Sequence, residues 1–308
     1  MIELDRVSKR IGEAVIVDEV SLGIAEGELC VLIGSSGAGK STVLKMINRL
    51  IPLSAGSIRF AGTDVTHIPP EDLRRRMGYV IQSIGLFPHW TIARNIGTVP
   101  ELLGWPAARI GARVDELLSL LKLDPASFRG KYPHQLSIGQ QQRVGVARAL
   151  AADPDVLLMD EPFGALDPLV REELQDEILR LHRDSHKTIL FVTHDMDEAL
   201  KLATRIALMD RGRLVQAGTP AELLAAPATP FVRDFVGGRD RGIKLLLVER
   251  VTQHMRAGTD REGEPIAADA TLHQALSQMV SQGVDRLAVV DAEGRVIGTL
   301  HLADIVRR

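Results

Sequence analysis

The chain has 308 residues, 45% of them apolar and 25% charged, with a formal net charge of -3. That length suits one large domain plus a small one, and the composition is that of an ordinary globular protein. The charge balance lacks the basic footprint that nucleic-acid binding leaves, so no nucleic-acid partner is expected.

In chain order, residues 2–7 and 15–24 read as an antiparallel β subdomain. The start, MIELDRVSKR, is of mixed charge and does not read as a signal peptide. Short apolar runs at 29–33, 79–81, 156–159, 189–192 and 206–209 read as strands. Helical patterns lie between them, as at 41–49 and 168–183. This alternation predicts a largely parallel sheet with helices packed on it. Cys30 is the single cysteine, so no intrachain disulfide forms and a reducing compartment fits. It sits in an apolar run and reads as a small core residue. After Val236 the stretch GGRDRG predicts a boundary, giving a first domain over 1–236, a linker over 237–248 and a compact unit over 249–308. In that unit a helix is expected over 271–281, then strands over 287–290 and 296–300 joined by a turn. No apolar run is long enough to span a bilayer, so a membrane role is expected only through docking onto another subunit.

The strongest chemical signal is Gly34-Ser35-Ser36-Gly37-Ala38-Gly39-Lys40-Ser41, which fits G-x-x-x-x-G-K-[ST] and is followed by Thr42. It follows an apolar strand and opens a helix. Glycines let backbone N–H groups turn inward around phosphate oxygens, and the helix adds its positive end. Lys40 supplies charge to the β- and γ-phosphates of ATP, and Ser41 offers a hydroxyl to Mg²⁺. The second signal is an apolar strand ending in Asp160 and Glu161. Asp160 is expected on the Mg²⁺ side, and Glu161 as the general base for an attacking water. Adjacent acids at a strand end are often merely solvated; the phosphate loop favours the chemical reading.

Leu136-Ser137-Ile138-Gly139-Gln140-Gln141-Gln142-Arg143 resembles the LSGGQ signature of ABC ATPases with its QQR continuation. Gln82 resembles the Q-loop glutamine, Ala165-Leu166-Asp167 the D-loop, and His194 in Thr193-His194-Asp195 the switch histidine. The order of these elements carries the resemblance. It implies a head-to-tail pair of ATPase domains with ATP between the phosphate loop of one copy and the signature of the other. Catalytic roles then fall to Glu161, His194 and Lys40. ATP contacts fall to residues 34–42, Gln82, Ser137, Gly139, Gln140 and Asp167. Mg²⁺ falls to Ser41, Gln82 and Asp160. Two positions depart from the pattern. Ile138 stands where the family has glycine, which is expected to crowd the backbone and slow hydrolysis. Ile11 stands where an aromatic stacks on adenine, which is expected to weaken nucleotide binding.

The run from Arg74 through Trp90, with Asn95 to Trp105 and Lys131 to Ser137, resembles the ATP-binding subunits of glycine betaine, choline and carnitine importers. That resemblance implies permease subunits docked at the Q-loop region, where Ile84, Leu86, Phe87 and Trp90 form an apolar group. It also implies an extracytoplasmic solute-binding protein in the complex, and a peripheral place on the cytoplasmic face of the membrane. The tail 272–308 resembles a single cystathionine-β-synthase (CBS) domain, with Asp304 retained at a nucleotide-contact position and His301 departing from it. The expected fold class is therefore α/β: a P-loop ABC ATPase domain with a parallel-sheet core, antiparallel β subdomain and helical subdomain, followed by a small α/β CBS-like domain. The tail reads either as a regulatory dimerisation element or as a structural appendage. For the whole chain, a nucleotide-dependent regulatory protein that barely hydrolyses is the competing reading.

Overall fold

The computed structural model describes residues 1–164, 166–258 and 264–306. Ala165 of the expected D-loop, and Arg307 and Arg308 of the tail, lie outside the described residues. The chain forms two compact units, Met1–Ala217 and Gly218–Arg308.

The first unit is built on a six-stranded sheet. Its order is Arg213–Gly218, Arg205–Asp210, Leu29–Gly34, Thr188–Thr193, Val156–Asp160 and Met77–Val80. The five strands from Arg205–Asp210 to Met77–Val80 run parallel. Leu29–Gly34, Val156–Asp160 and Thr188–Thr193 are buried at every position. Helices or a second sheet must cover both faces, which is why these strands read as continuous apolar runs. Cys30 is fully buried here, and burial pushes its thiol up to about 12. The expected strand 79–81 is shifted: it runs Met77–Val80, and Ile81 belongs to the loop that follows.

A second sheet, ordered Ala14–Ile24, Ile2–Ile11, Ala55–Phe60 and Thr63–Asp64, is antiparallel. Its inward residues Ile2, Leu4, Val20, Leu22, Ile58 and Phe60 share one core with Leu44 and Met46 of the helix Lys40–Ile47 and Leu158 and Leu190 of the main sheet. A helical region contains Ile92–Leu102, Ala107–Leu120 and Ile138–Leu150, with the first packed on the other two. The parallel strands converge with their carboxyl ends at one edge, where ligands gather in open α/β sheets. Gly34, Asp160 and Thr193 end three neighbouring strands there.

The second unit starts earlier than the glycine run suggested. Gly237 and Gly238 do turn the chain, with φ of 129° and 50°. Residues 237–248 are nevertheless no linker, because Arg241–Val248 forms a helix whose Leu246 enters the core of this unit. Helical spacing in IKLLLV outweighs the preceding glycines. Its sheet is ordered Arg256–Ala257, Val296–His301, Arg286–Val290 and Glu264–Ala267, with the last pair parallel. The helix Leu272–Gln282 covers it, capped by Thr271 and closed by Gly283 at φ 67°. Asp304 is clasped by Arg256, whose Nη2 and Nε donate to Oδ1 and Oδ2 at 2.7 and 3.0 Å. Those bonds hold the Asp304 carboxyl below its ordinary range.

Leu287 is wholly buried in this small core. Leu287→Ala is expected to cost about 2–5 kcal/mol, read as a lower urea midpoint for the second unit; an unchanged midpoint would contradict the packing.

Candidate functional site

The loop after Leu29–Gly34 is shaped by close backbone neighbours. A Cβ on Gly34 would lie 2.1 Å from the Met209 carbonyl oxygen, and one on Gly39 would lie 2.7 Å from that of Ile16. Gly37 and Gly39 also adopt positive φ of 78° and 95°. Ser35, Ser36 and Gly37 face solvent, Ala38 is buried and Thr42 is half-buried in the first helical turn. Lys40 is only 5% exposed. Its Nζ donates to Gly34 O at 2.8 Å and Ser35 O at 3.0 Å, so the ammonium sits inside the curve of its own loop. Burial pulls its pKa below the ordinary lysine value, opposed by the charges of Glu161 and Asp160.

The acidic strand end lies alongside. Ser41 Oγ donates to Asp160 Oδ1 at 2.7 Å, and Tyr79 OH donates to Oδ2 at 3.5 Å. Burial, with the neighbouring Asp160 charge, raises the pKa of Tyr79 and keeps its phenol protonated as a donor. Glu161 departs from the strand with φ 45°, a left-handed backbone that costs a non-glycine residue about 1–3 kcal/mol. Its N–H donates to Val192 O at 3.0 Å, which holds the turn. Glu161 Oε2 then lies 3.3 Å from His194 Nδ1 and accepts from Gln82 Nε2 at 3.4 Å. The structure thus brings together Lys40, Ser41, Gln82, Asp160, Glu161 and His194.

It does not bring the signature residues to them. Ser137 caps the helix Ile138–Leu150, its Oγ accepting from the Gln140 N–H while Gln140 Oε1 accepts from the Ser137 N–H. Gly139 is buried, and a Cβ there would meet Val170 Cγ1 at 2.5 Å. Asp167 Oδ1 caps the helix Pro168–Ser185 through the Val170 N–H. Among the described residues, none of these side-chain bonds reaches the phosphate loop or Glu161. Ile138 is 52% exposed at the opening of its helix, and Ile11 is 61% exposed on a hairpin whose Ile16 and Val17 lie against Gly39.

Two residues that sequence reasoning passed over shape the loop after Gln82. Asn95, fully buried, accepts the Phe87 N–H at 2.8 Å and donates to the carbonyls of Phe87, Trp90 and Thr91. Arg148 donates to the carbonyls of Gly85 and Ile84 at 2.7 and 3.4 Å. The loop therefore presents Phe87, which is 44% exposed, against Trp90 at a ring distance of 4.3 Å. The signal for Asn95 was an amide inside an apolar helix face; Arg148 gave no local signal.

The donor set suits Mg²⁺. Ser41 and Asp160 offer hard oxygens that converge at hydrogen-bond distance. Among the described residues no group of three His, Cys, Asp or Glu forms a protein cage for a metal.

Known proteins give a consistent picture. The ABC transporter family model matches residues 17–164, and the CBS domain model matches residues 264–308. The glycine betaine uptake system ATP-binding protein YehX of Escherichia coli (strain K12) is 54% identical over 306 residues, covering 99% of each chain. The choline transport ATP-binding protein OpuBA of Bacillus subtilis (strain 168) is 50% identical over 95% of this chain and 76% of its own. A solved dimeric ATP-binding cassette, in a post-hydrolysis state bound to ADP and Pi, is 31% identical with a TM-score of 0.64. That match covers 71% of this chain and 98% of the other.

Asn95→Ala removes the acceptor of the Phe87 N–H and a side-chain donor to the carbonyls of Phe87, Trp90 and Thr91. It is expected to cost about 1–3 kcal/mol and to speed hydrogen exchange at the Phe87 amide; exchange at the unchanged rate would contradict the stapling role.

Proposed function

This chain belongs to the ATP-binding proteins of ABC transporters, and from that membership we propose that it hydrolyses ATP to drive uptake of a quaternary-amine osmoprotectant such as glycine betaine. The observation that carries the hydrolytic part is the convergence of Lys40, the Ser41–Asp160 pair and the Glu161–His194 pair at the carboxyl ends of parallel strands. The substrate class rests on relatives named for glycine betaine and choline.

In this reading the backbone N–H groups of residues 34–42 hold the phosphates, and Lys40 swings from the carbonyls of Gly34 and Ser35 to the β- and γ-oxygens. Ser41, Asp160 and Gln82 hold Mg²⁺, which when bound neutralises charge on the phosphate oxygens. Glu161 takes the proton from the attacking water, and His194, beside it, orients the γ-phosphate and that water. Ser137, Gly139, Gln140 and Asp167 complete the site of a second copy. The positive end of the helix Ile138–Leu150 suits an anion. Their separation from the phosphate loop within one chain is what such a head-to-tail pair requires. The relative solved as a dimer supports this arrangement.

The loop 84–90, fixed by Asn95 and Arg148, offers Phe87 and Trp90 to a permease helix, with a solute-binding protein completing the complex. No helix among the described residues is long and apolar enough to cross a membrane. The chain then works from the cytoplasmic face as a peripheral subunit. In this reading the tail acts as a regulatory dimerisation element or as a structural appendage, with Asp304 paired to Arg256.

Replacing the general base separates binding from chemistry. Glu161→Gln is expected to lower phosphate release by about 10²- to 10⁴-fold while ATP still binds at equilibrium. Normal turnover in that variant would overturn the assignment of Glu161. A wild-type chain that binds ATP without turnover, alone or in its complex, would favour a regulatory protein instead.

A further inference from the structure

The helix Pro168–Ser185 carries a cation in its first turns, Arg171, where the positive end of the helix disfavours one. The side chain is nonetheless held on several sides. Its Nη2 donates to Leu166 O at 3.2 Å. Its Nη1 lies 3.7 Å from Asp195 Oδ2, and its Nε lies 3.8 Å from Glu198 Oε1. That Nε is buried with no hydrogen-bond partner.

Both carboxylates lie just after His194, at the start of the helix Met196–Leu202. Asp195 Oδ1 caps the helix Met196–Leu202 through the N–H groups of Asp197 and Glu198 at 2.8 and 3.2 Å. The buried Glu198 accepts from Thr193 Oγ1 at 2.7 Å, and that hydroxyl accepts in turn from the Asp195 N–H at 3.0 Å. Thr193 and Asp195 are thus pinned on either side of His194, whose own side chain is 61% exposed. A cavity of about 50 Å³ is lined by Arg171, His194, Asp195, Glu198 and Glu161. It has room for water.

We propose that Arg171 is a positioning residue, coupling the segment Leu166–Asp167 to the loop bearing His194 so that movement of that segment changes the His194–Glu161 contact. The segment resembles the D-loop and opens the helix that bears Arg171. A displacement of Leu166 O is therefore passed through one guanidinium to both anchors of the histidine loop. The mechanical link stands on the contacts alone. Its consequence for turnover rests on the hydrolytic reading given above.

The test compares wild type, Arg171→Ala and Arg171→Lys in the full-length chain. The imidazole signals of its nine histidines are recorded by NMR, with His194 assigned by loss of its peak in His194→Gln. The His194 peak is expected to move in Arg171→Ala and to return towards its wild-type position in Arg171→Lys. Because that readout needs no ATP turnover, it separates failure of this coupling from failure of the ATPase assignment. In steady-state hydrolysis, Arg171→Ala is expected to lower kcat by about tenfold with KM for ATP within about twofold, and Arg171→Lys to recover most of the loss. Unmoved His194 signals in Arg171→Ala would overturn the proposal. So would a fall in kcat that merely follows loss of thermal stability and that lysine does not rescue.

Discussion

The hydrogen bond from Ser41 to Asp160 ties the phosphate loop to the acidic end of the neighbouring strand, and the rest of the site is arranged about it. Asp160 is nearly fully buried, so its charge needs partners. Ser41 supplies one, Tyr79 a longer second, and the nearby ammonium of Lys40 offsets the charge at longer range. Lys40 is held in turn by the carbonyls of Gly34 and Ser35. A loop with bulkier residues at 34 or 39 would strike the backbone of Met209 or Ile16 and break this closure.

One residue beyond Asp160 the backbone changes hand. The left-handed turn at Glu161 takes the chain out of the sheet and sets its carboxylate beside Gln82 and His194. Three separate loops therefore meet at a single carboxylate: the one after Val80, the one after Asp160 and the one after Thr193. Each is also connected outward. The loop after Val80 is fixed by Asn95 and Arg148 in the helical region, and the loop after Thr193 is fixed through Glu198 and Asp195 to Arg171. Glu161 is thereby linked to the surface of Phe87 and Trp90 on one side and to the segment Leu166–Asp167 on the other.

The phosphate loop, the acid pair and the parallel strands were legible because each is local: glycines beside one lysine, two carboxylates after an apolar run. The positions of Gln82 and His194 were legible only through the order of motifs, since a lone glutamine or histidine after a strand is usually structural. Arg148, Arg171 and Glu198 were not legible, and Asn95 only as an amide inside an apolar helix face. Their partners lie on other elements or on backbone carbonyls, and a charged residue on a helix reads as a solvated face until its neighbours are known. The start of the second unit was misread for a related reason. Gly237 and Gly238 mark a turn, but Leu246 beyond them is recruited by the core around Leu287 and Leu300.

The most direct measurement is ATP hydrolysis by the chain reconstituted with its permease and solute-binding protein in lipid vesicles, with and without glycine betaine. Hydrolysis is expected to rise when glycine betaine is added. Hydrolysis indifferent to glycine betaine and to other quaternary amines would contradict the proposed substrate class, and no hydrolysis in the complete complex would contradict the enzymatic role itself.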